Sequence, residues 1–92
     1  MKLRLVHYDN GKVLGCSQDD VWFIIFTPER CSIKNPARFV NWDSQRKMPA
    51  EYTAVASPAA YTSVFDADND FHKLENYYRN NGGFRTIKEI EI

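Results

Sequence analysis

The feature that most constrains the fold is residues 21–26, Val-Trp-Phe-Ile-Ile-Phe, the only run of six consecutive apolar residues in the chain. Every residue in it is β-branched or aromatic. Asp19-Asp20 precede the run and Thr27-Pro28 follow it. A short apolar run with such boundaries is typical of a strand that is buried on both faces. We therefore predict that this segment is the central strand of a sheet.

Length and composition predict a single domain spanning residues 1–92. The 43% apolar content is too high for a disordered chain. Twelve basic and twelve acidic residues give zero formal net charge, which argues against a non-specific nucleic-acid binder. Two cysteines are too few for a disulfide scaffold, and no signal peptide or membrane-length apolar run is present. We expect a cytoplasmic protein with reduced thiols.

Two further strands are predicted before the central one. Residues 2–8 alternate, with Leu3 and Leu5 on one face and Arg4, Val6 and Tyr8 on the other. Asn10-Gly11 is a strong hairpin signal, so residues 12–16 are predicted to return as a second strand. Gly15 within that strand indicates a bulge or a bend.

The segment from residue 36 to about residue 47 is predicted to be a helix. Asn35-Pro36 has the form of an N-cap followed by proline at the first helical position, and Met48-Pro49 would end the helix. On such a helix Phe39 and Val40 could face the sheet. Arg38 and Trp42, four residues apart, would share a face.

The region 51–65 fits two interpretations. Residues 52–55 and 61–65 are strand-like by composition, and residues 57–60 between them fit either a turn or the cap and first turn of a short helix. We favour two strands. Residues 68–81 are the clearest helix, because Phe71, Leu74, Tyr77 and Tyr78 form one apolar stripe.

Gly82-Gly83 should stop this helix, and residues 84–92 read as a final edge strand. Little protective charge on one face of that edge makes a homodimer plausible. The predicted fold class is therefore α+β, with an antiparallel sheet of about five to six strands and two helices packed on one face.

No catalytic, cofactor or metal signature survives inspection. Residues 66–70 resemble the start of a calcium-binding loop, but Phe71 and Tyr77 stand where that loop needs glycine and glutamate. The possible zinc ligands show none of the close pairing typical of zinc sites. They are Cys16, Cys31, His7 and His72. We expect no catalytic residue, no metal and no cofactor.

Charge is segregated along the chain. Residues 30–47 carry five basic residues and one acid, whereas residues 48–78 carry five acids and one base. We predict one contact surface from the basic segment and another from residues 66–70. The predicted partner-binding residues are Arg30, Lys34, Arg38, Trp42, Arg46, Lys47, Asp66, Asp68 and Asp70. The competing interpretation is a pair of solvated charged faces with no partner.

Three classes of function remain: a protein-binding module, a nucleic-acid-binding regulator that uses residues 30–47, and a small enzyme. A resemblance favours the first. The Phe65-Asp66 step, the aromatic helix after it, Gly82-Gly83 and the last strand resemble the ending of small phage-encoded anti-CRISPR proteins. The overall length and format are also similar. That family shares no signature motif, so no functional residue is carried over.

The resemblance implies a non-enzymatic, stoichiometric inhibitor in the host-cell cytoplasm. Such a protein docks on a CRISPR surveillance ribonucleoprotein complex and blocks the binding of target DNA. Many members are strongly acidic mimics of duplex DNA, whereas this chain is neutral. We therefore expect a large protein or ribonucleoprotein partner, with contact to the guide-RNA backbone as a further possibility, and neither a membrane nor a small-molecule substrate. The alternative is a small nucleic-acid-binding regulator.

Overall fold

The computed structural model describes residues 2–55, 57–82 and 87–91, and within them the fold is α+β. The strands are β1 (Lys2–Tyr8), β2 (Val21–Thr27), β3 (Arg38–Asp43), β4 (Met48–Tyr52) and β5 (Ile87–Glu91). One α-helix, α1 (Val64–Gly82), and two short 3₁₀ helices, Gly11–Leu14 and Ser57–Ala59, complete the described elements.

Four strands form an antiparallel sheet in the order β4-β3-β2-β1, and β5 joins beside β1 in the parallel direction. The apolar run at residues 21–26 is therefore the central strand, as predicted. Its side chains alternate between two cores. Ile24 and Phe26 are buried beneath α1, whereas Val21 and Phe23 are buried on the opposite face.

The core beneath α1 is the larger of the two. Its buried residues are Leu3, Leu5, Ile24, Phe26, Val40, Ala67, Phe71, Leu74 and Tyr78. The predicted stripe on the helix is confirmed, because Phe71, Leu74 and Tyr78 are buried and Tyr77 packs against them. The helix begins at Val64, four residues before its predicted start, and ends at Gly82.

The predicted helix at residues 36–47 is wrong, so one α-helix, not two, packs on the sheet in the described part of the chain. The segment is instead β3, a four-residue turn at residues 44–47, and the entry to β4. Asp43 stabilises the turn, because its Oδ1 accepts the backbone N–H groups of Gln45 (3.0 Å) and Arg46 (3.2 Å). Lys47 completes it with a φ of 55°.

Three of the expected strands are also wrong. Of residues 52–55, only Tyr52 belongs to a strand, as the last residue of β4. Residues 12–16 do not return as a strand, because the Asn10-Gly11 step leads into the 3₁₀ helix Gly11–Leu14. Residues 61–65 contain only one bridge, between Tyr61 and Trp22, before α1 begins. The alternative of a short helix near residues 57–60 is the correct one. Within the predicted last strand, residues 84–86 and 92 lie outside the described residues.

Gly11 explains the missing hairpin. Its N–H donates to the Asp19 carbonyl oxygen (2.8 Å), and its own carbonyl oxygen accepts the Cys16 N–H (3.0 Å). Gly11 therefore ties together the two ends of the connection between β1 and β2, and the chain makes no tight turn between two strands here. A side chain at this position would meet the backbone of residues 18 and 19.

Replacing Gly11 by alanine is expected to lower the free energy of unfolding by about 1–3 kcal/mol. The new Cβ would lie 2.8 Å from the Asp19 carbonyl oxygen and still closer to that of Gln18. Gly15→Ala is the matched control, because a Cβ there meets nothing closer than 4.0 Å and only the φ of 86° opposes it. Urea unfolding of both variants measures the difference. A smaller loss for Gly11→Ala than for Gly15→Ala would contradict the close-approach explanation.

Candidate binding surfaces

The predicted basic surface is divided between the two ends of β3. Arg30 and Lys34 lie in the exposed loop before the strand, residues 28–37, which we call the 28–37 loop. Arg46 and Lys47 lie in the turn after the strand. Six residues at about 3.3 Å each place these two pairs roughly 20 Å apart. The five predicted basic residues therefore do not form one continuous contact surface.

Arg38, which was predicted to contact a partner, is half-buried and bonded to other groups of the protein. Its side chain is only 19% exposed and forms an ion pair with Glu51. Its guanidinium lies over the Phe26 ring, 4.7 Å from the ring centroid. Its Nη1 also donates to the Asn35 Oδ1 (2.8 Å) and the Pro36 carbonyl oxygen (3.0 Å). Arg38 therefore braces the 28–37 loop against the sheet.

Trp42 is half-buried on the helix-covered face of the sheet. Arg38 and Trp42 do share a face, because residues four apart on a strand point the same way. The Trp42 ring packs edge to face with Tyr77, with 6.1 Å between centroids. It belongs to the margin of the core beneath α1. Trp42 therefore helps to cover the core beneath α1. Trp22 also packs against this core.

The acidic residues 66–70 lie in the first turns of α1 and differ in their contacts. Asp66 is exposed, and Asp68 approaches His72 at 3.6 Å. Asp70 accepts a hydrogen bond from the Tyr61 hydroxyl (2.8 Å), which also accepts the Trp42 backbone N–H (3.3 Å). Burial, and then the bond to Asp70, raise the pKa of Tyr61, so its hydroxyl remains a donor at neutral pH. Asp70 therefore anchors α1 to the sheet.

The two ends of β2 carry different sets of charged residues. Tyr61, three residues before α1, pairs with Trp22 at the beginning of the strand, and the 28–37 loop leaves the other end. The beginning of β2 also carries the exposed Asp19 and Asp20. Because β3 runs antiparallel to β2, the turn with Arg46 and Lys47 lies at this same end, where carboxylates and cations are therefore mixed. Arg30 and Lys34 therefore form a separate cationic site.

The tip of the 28–37 loop is a tight turn that presents Ile33 to solvent. Ser32 and Asn35 exchange both backbone hydrogen bonds (3.2 Å each), and the Ser32 hydroxyl oxygen also accepts the Asn35 N–H (3.0 Å). Ile33 and Lys34 occupy the two central positions. The Ile33 side chain is fully exposed (101%). Arg30, Ile33 and Lys34 are defined here as the loop tip.

Sequence reasoning identified the two cations of the loop tip but missed Ile33. The signal was available, because Ile33 is the only large aliphatic residue in this ten-residue connection. A large apolar side chain in such a connection either packs back on the core or remains exposed. Sequence alone does not choose between these outcomes, since the choice depends on the turn that Ser32 and Asn35 close.

The described residues show no group of three His, Cys, Asp or Glu side chains that could hold a metal ion. Cys16 is half-buried and Cys31 exposed, and both are free thiols. His7 approaches Asp20 at 2.9 Å and stacks at a tilt on Trp22, with centroids 5.3 Å apart. These two contacts of His7 join the end of β1 to the beginning of β2.

Comparisons of the chain with protein-family models, with curated proteins and with solved structures gave no match. Across the described residues, no helix has both the length and the apolar character required to cross a bilayer. Among the exposed large apolar residues of the described chain, Ile33 at the loop tip has the highest exposure. The loop tip is therefore the candidate binding site.

Proposed function

We propose that this protein is a non-enzymatic binding protein that docks on a large protein or ribonucleoprotein complex of the host cell through its loop tip. The observation that carries the proposal is the full exposure of Ile33 on the hydrogen-bonded turn 32–35, with the exposed Lys34 next to it and the exposed Arg30 just before the turn. Arginine is among the residues that most often dominate binding energy at interfaces, and burial of one exposed isoleucine in a partner would add about 1.5–3 kcal/mol.

The way in which the loop is held supports this proposal. Pro28 is buried at the base of the loop, and Arg38 binds Asn35 and Pro36 beside the tip. A loop already fixed in one conformation loses less conformational entropy when it binds. These contacts hold the loop in the conformation that exposes the tip. Arg38 joins the loop to β3, which packs beneath α1 through Val40.

In its specific form, the proposal is a stoichiometric inhibitor that docks on a CRISPR surveillance complex and blocks the binding of target DNA. The resemblance of the helical ending to small anti-CRISPR proteins supports this form. The exposed cations at the loop tip also support it, because they suit acidic groups of a protein subunit or the phosphates of a guide RNA. Arg38, Trp42 and Asp70 take no part in this contact, because the protein uses them internally.

The double variant Arg30→Glu/Lys34→Glu is expected to weaken inhibition at least about tenfold, because opposite charge at the tip repels the same acidic groups. The measurement is fluorescence anisotropy of labelled target DNA with purified surveillance complexes, titrated with the protein. Arg46→Glu/Lys47→Glu makes the same change in net charge at the other end of β3 and should inhibit like wild type. Retention of wild-type inhibition by the Arg30/Lys34 variant would contradict docking through the loop tip.

A nucleic-acid-binding regulator is the second candidate, and the exposed turn at residues 44–47 favours it. Arg46 is 78% exposed there, and Lys47 is its neighbour. A pull-down from bacterial lysate with and without nuclease separates the two functions. Recovery of nucleic acid alone, lost in the Arg46/Lys47 variant and retained in the Arg30/Lys34 variant, would favour the regulator and contradict the docking proposal.

A further inference from the structure

Ile33 has a chemical environment that distinguishes among possible partners. It is an aliphatic side chain at full exposure on a turn closed by Ser32 and Asn35, with Lys34 next to it and Arg30 three residues before it in the sequence. Glu29 lies at the base of the same exposed loop. A surface that fits this tip needs an apolar recess of about the size of one branched side chain, with acidic groups at its margin.

From this pattern we propose that the loop tip inserts Ile33 into an apolar pocket on an acidic surface of a partner protein, with Arg30 and Lys34 facing carboxylates at the rim of the pocket. The inference rests on the proposed function and names the chemistry of the partner surface. Burial of the apolar area of Ile33 supplies the affinity, and the cations near it in sequence orient the contact.

Nucleic acid fits the loop tip less well. Proteins that bind single strands stack bases on aromatic or arginine planes, and an isoleucine offers no flat face for a base. Binding to phosphates gains affinity with each charge that is neutralised, and the loop tip offers only two cations.

A lipid surface also fits less well. A single myristoyl chain, with far more methylene groups than one isoleucine, gives only marginal membrane binding without a second signal. One isoleucine with two cations would give still weaker anchoring. A second copy of this chain is a further possible occupant, because the carboxylates of Asp19 and Asp20 are complementary in charge to the loop tip. That contact would join unlike ends and build open chains rather than a closed dimer.

The test begins with a nuclease-treated bacterial lysate passed over immobilised wild-type protein, Ile33→Ala and Val13→Ala. Val13 is the matched control, because it is another exposed aliphatic residue (79%) beside a lysine, in a different connection. Proteins retained by wild type and by Val13→Ala but lost by Ile33→Ala are purified, and their affinities are measured by calorimetry.

We expect Ile33→Ala to raise the Kd for the purified partner about 10- to 100-fold, which is the range for removing one buried aliphatic side chain. Val13→Ala should leave the Kd unchanged. Thermal unfolding of Ile33→Ala should match wild type, because the side chain touches solvent only. Bound wild-type protein shields one part of the partner surface. Replacing the carboxylates there by amides (Asp→Asn or Glu→Gln) should weaken binding in the same way as Arg30→Glu/Lys34→Glu.

Other results would overturn the inference. If Arg30→Glu/Lys34→Glu abolishes partner binding while Ile33→Ala binds like wild type, the apolar anchor is wrong and the proposed function stands. If both variants bind like wild type, the proposed docking site fails as well. Ile33-dependent binding to a 25-nucleotide single-stranded RNA, or to vesicles of 70% phosphatidylcholine and 30% phosphatidylserine, would assign the loop tip to those partners instead. Ile33-dependent self-association in sedimentation velocity would assign it to a second copy.

Discussion

Replacing Phe71 by alanine is expected to lower the free energy of unfolding by about 3–5 kcal/mol. Phe71 lies on α1 at 0% exposure within the core between the helix and the sheet. The substitution removes a ring from this core and leaves a cavity that the neighbouring strands cannot fully close. A chain of this length has a total stability of only about 5–14 kcal/mol, so the loss is a large share of it.

Urea unfolding followed by tryptophan fluorescence measures the effect of the Phe71 substitution. Phe65→Ala is the matched control, because it makes the same change on the same helix at a side chain that is 83% exposed. Its stability should be unchanged or slightly higher, since alanine has the higher helix propensity. Equal losses in the two variants would show that α1 does not pack on the sheet through Phe71.

Reversing the charge of Arg38 is expected to lower the free energy of unfolding by about 3 kcal/mol. Arg38→Glu would place two carboxylates together, because Arg38 now pairs with Glu51. It would also remove the guanidinium from the Phe26 ring and from the Asn35 and Pro36 oxygens. The estimate lies at the lower end of the range for buried pairs, because Glu51 is partly exposed.

Two variants identify the cause of this loss. Arg38→Glu/Glu51→Arg restores opposite charges and should recover part of the stability, whereas Arg46→Glu, at an exposed site, should change it by less than about 0.5 kcal/mol. Chemical denaturation of all three at low and physiological salt provides the comparison. A stability of Arg38→Glu equal to that of Arg46→Glu would mean that Arg38 is an external contact residue, as its sequence position first indicated.

The sequence was sufficient to predict the elements whose hydrophobic pattern is unambiguous. Residues 21–26 form the central strand because every side chain in the run is apolar, so both faces of the strand are buried. β1 follows from its strict alternation, and α1 from the spacing of Phe71, Leu74 and Tyr78. The start of α1 was placed too late, because Val64 and Phe65 have strand-like side chains that tertiary structure overrides.

The hairpin of β3 and β4 was mistaken for a helix for a local reason. Asn35-Pro36 imitates a helix start, and residues 44–47 contain good helix formers. The deciding facts are non-local: Val40 is fully buried beneath α1, and Asp43 closes the turn through its side chain. Neither is visible in a pattern of propensities, since both depend on the sheet that forms around them.

The candidate site was predicted in part. Charge segregation identified Arg30 and Lys34 among the cations, and these two remain in the proposed contact. It also selected Arg38, Trp42 and Asp70, which the structure places in an ion pair, an aromatic contact and a hydrogen bond within the protein. Counting charges does not reveal which of them face solvent, and it gives no weight to an apolar residue such as Ile33.

The separation of charge along β2 changes the meaning of a zero net charge. The strand has seven residues, so its two ends lie roughly 23 Å apart, whereas the Debye length at physiological ionic strength is about 8 Å. A partner near the loop tip is therefore screened from the carboxylates at the far end. Each end acts on its surroundings as an independent cluster of charges, so a net charge of zero does not prevent a partner at the loop tip from meeting mainly cations.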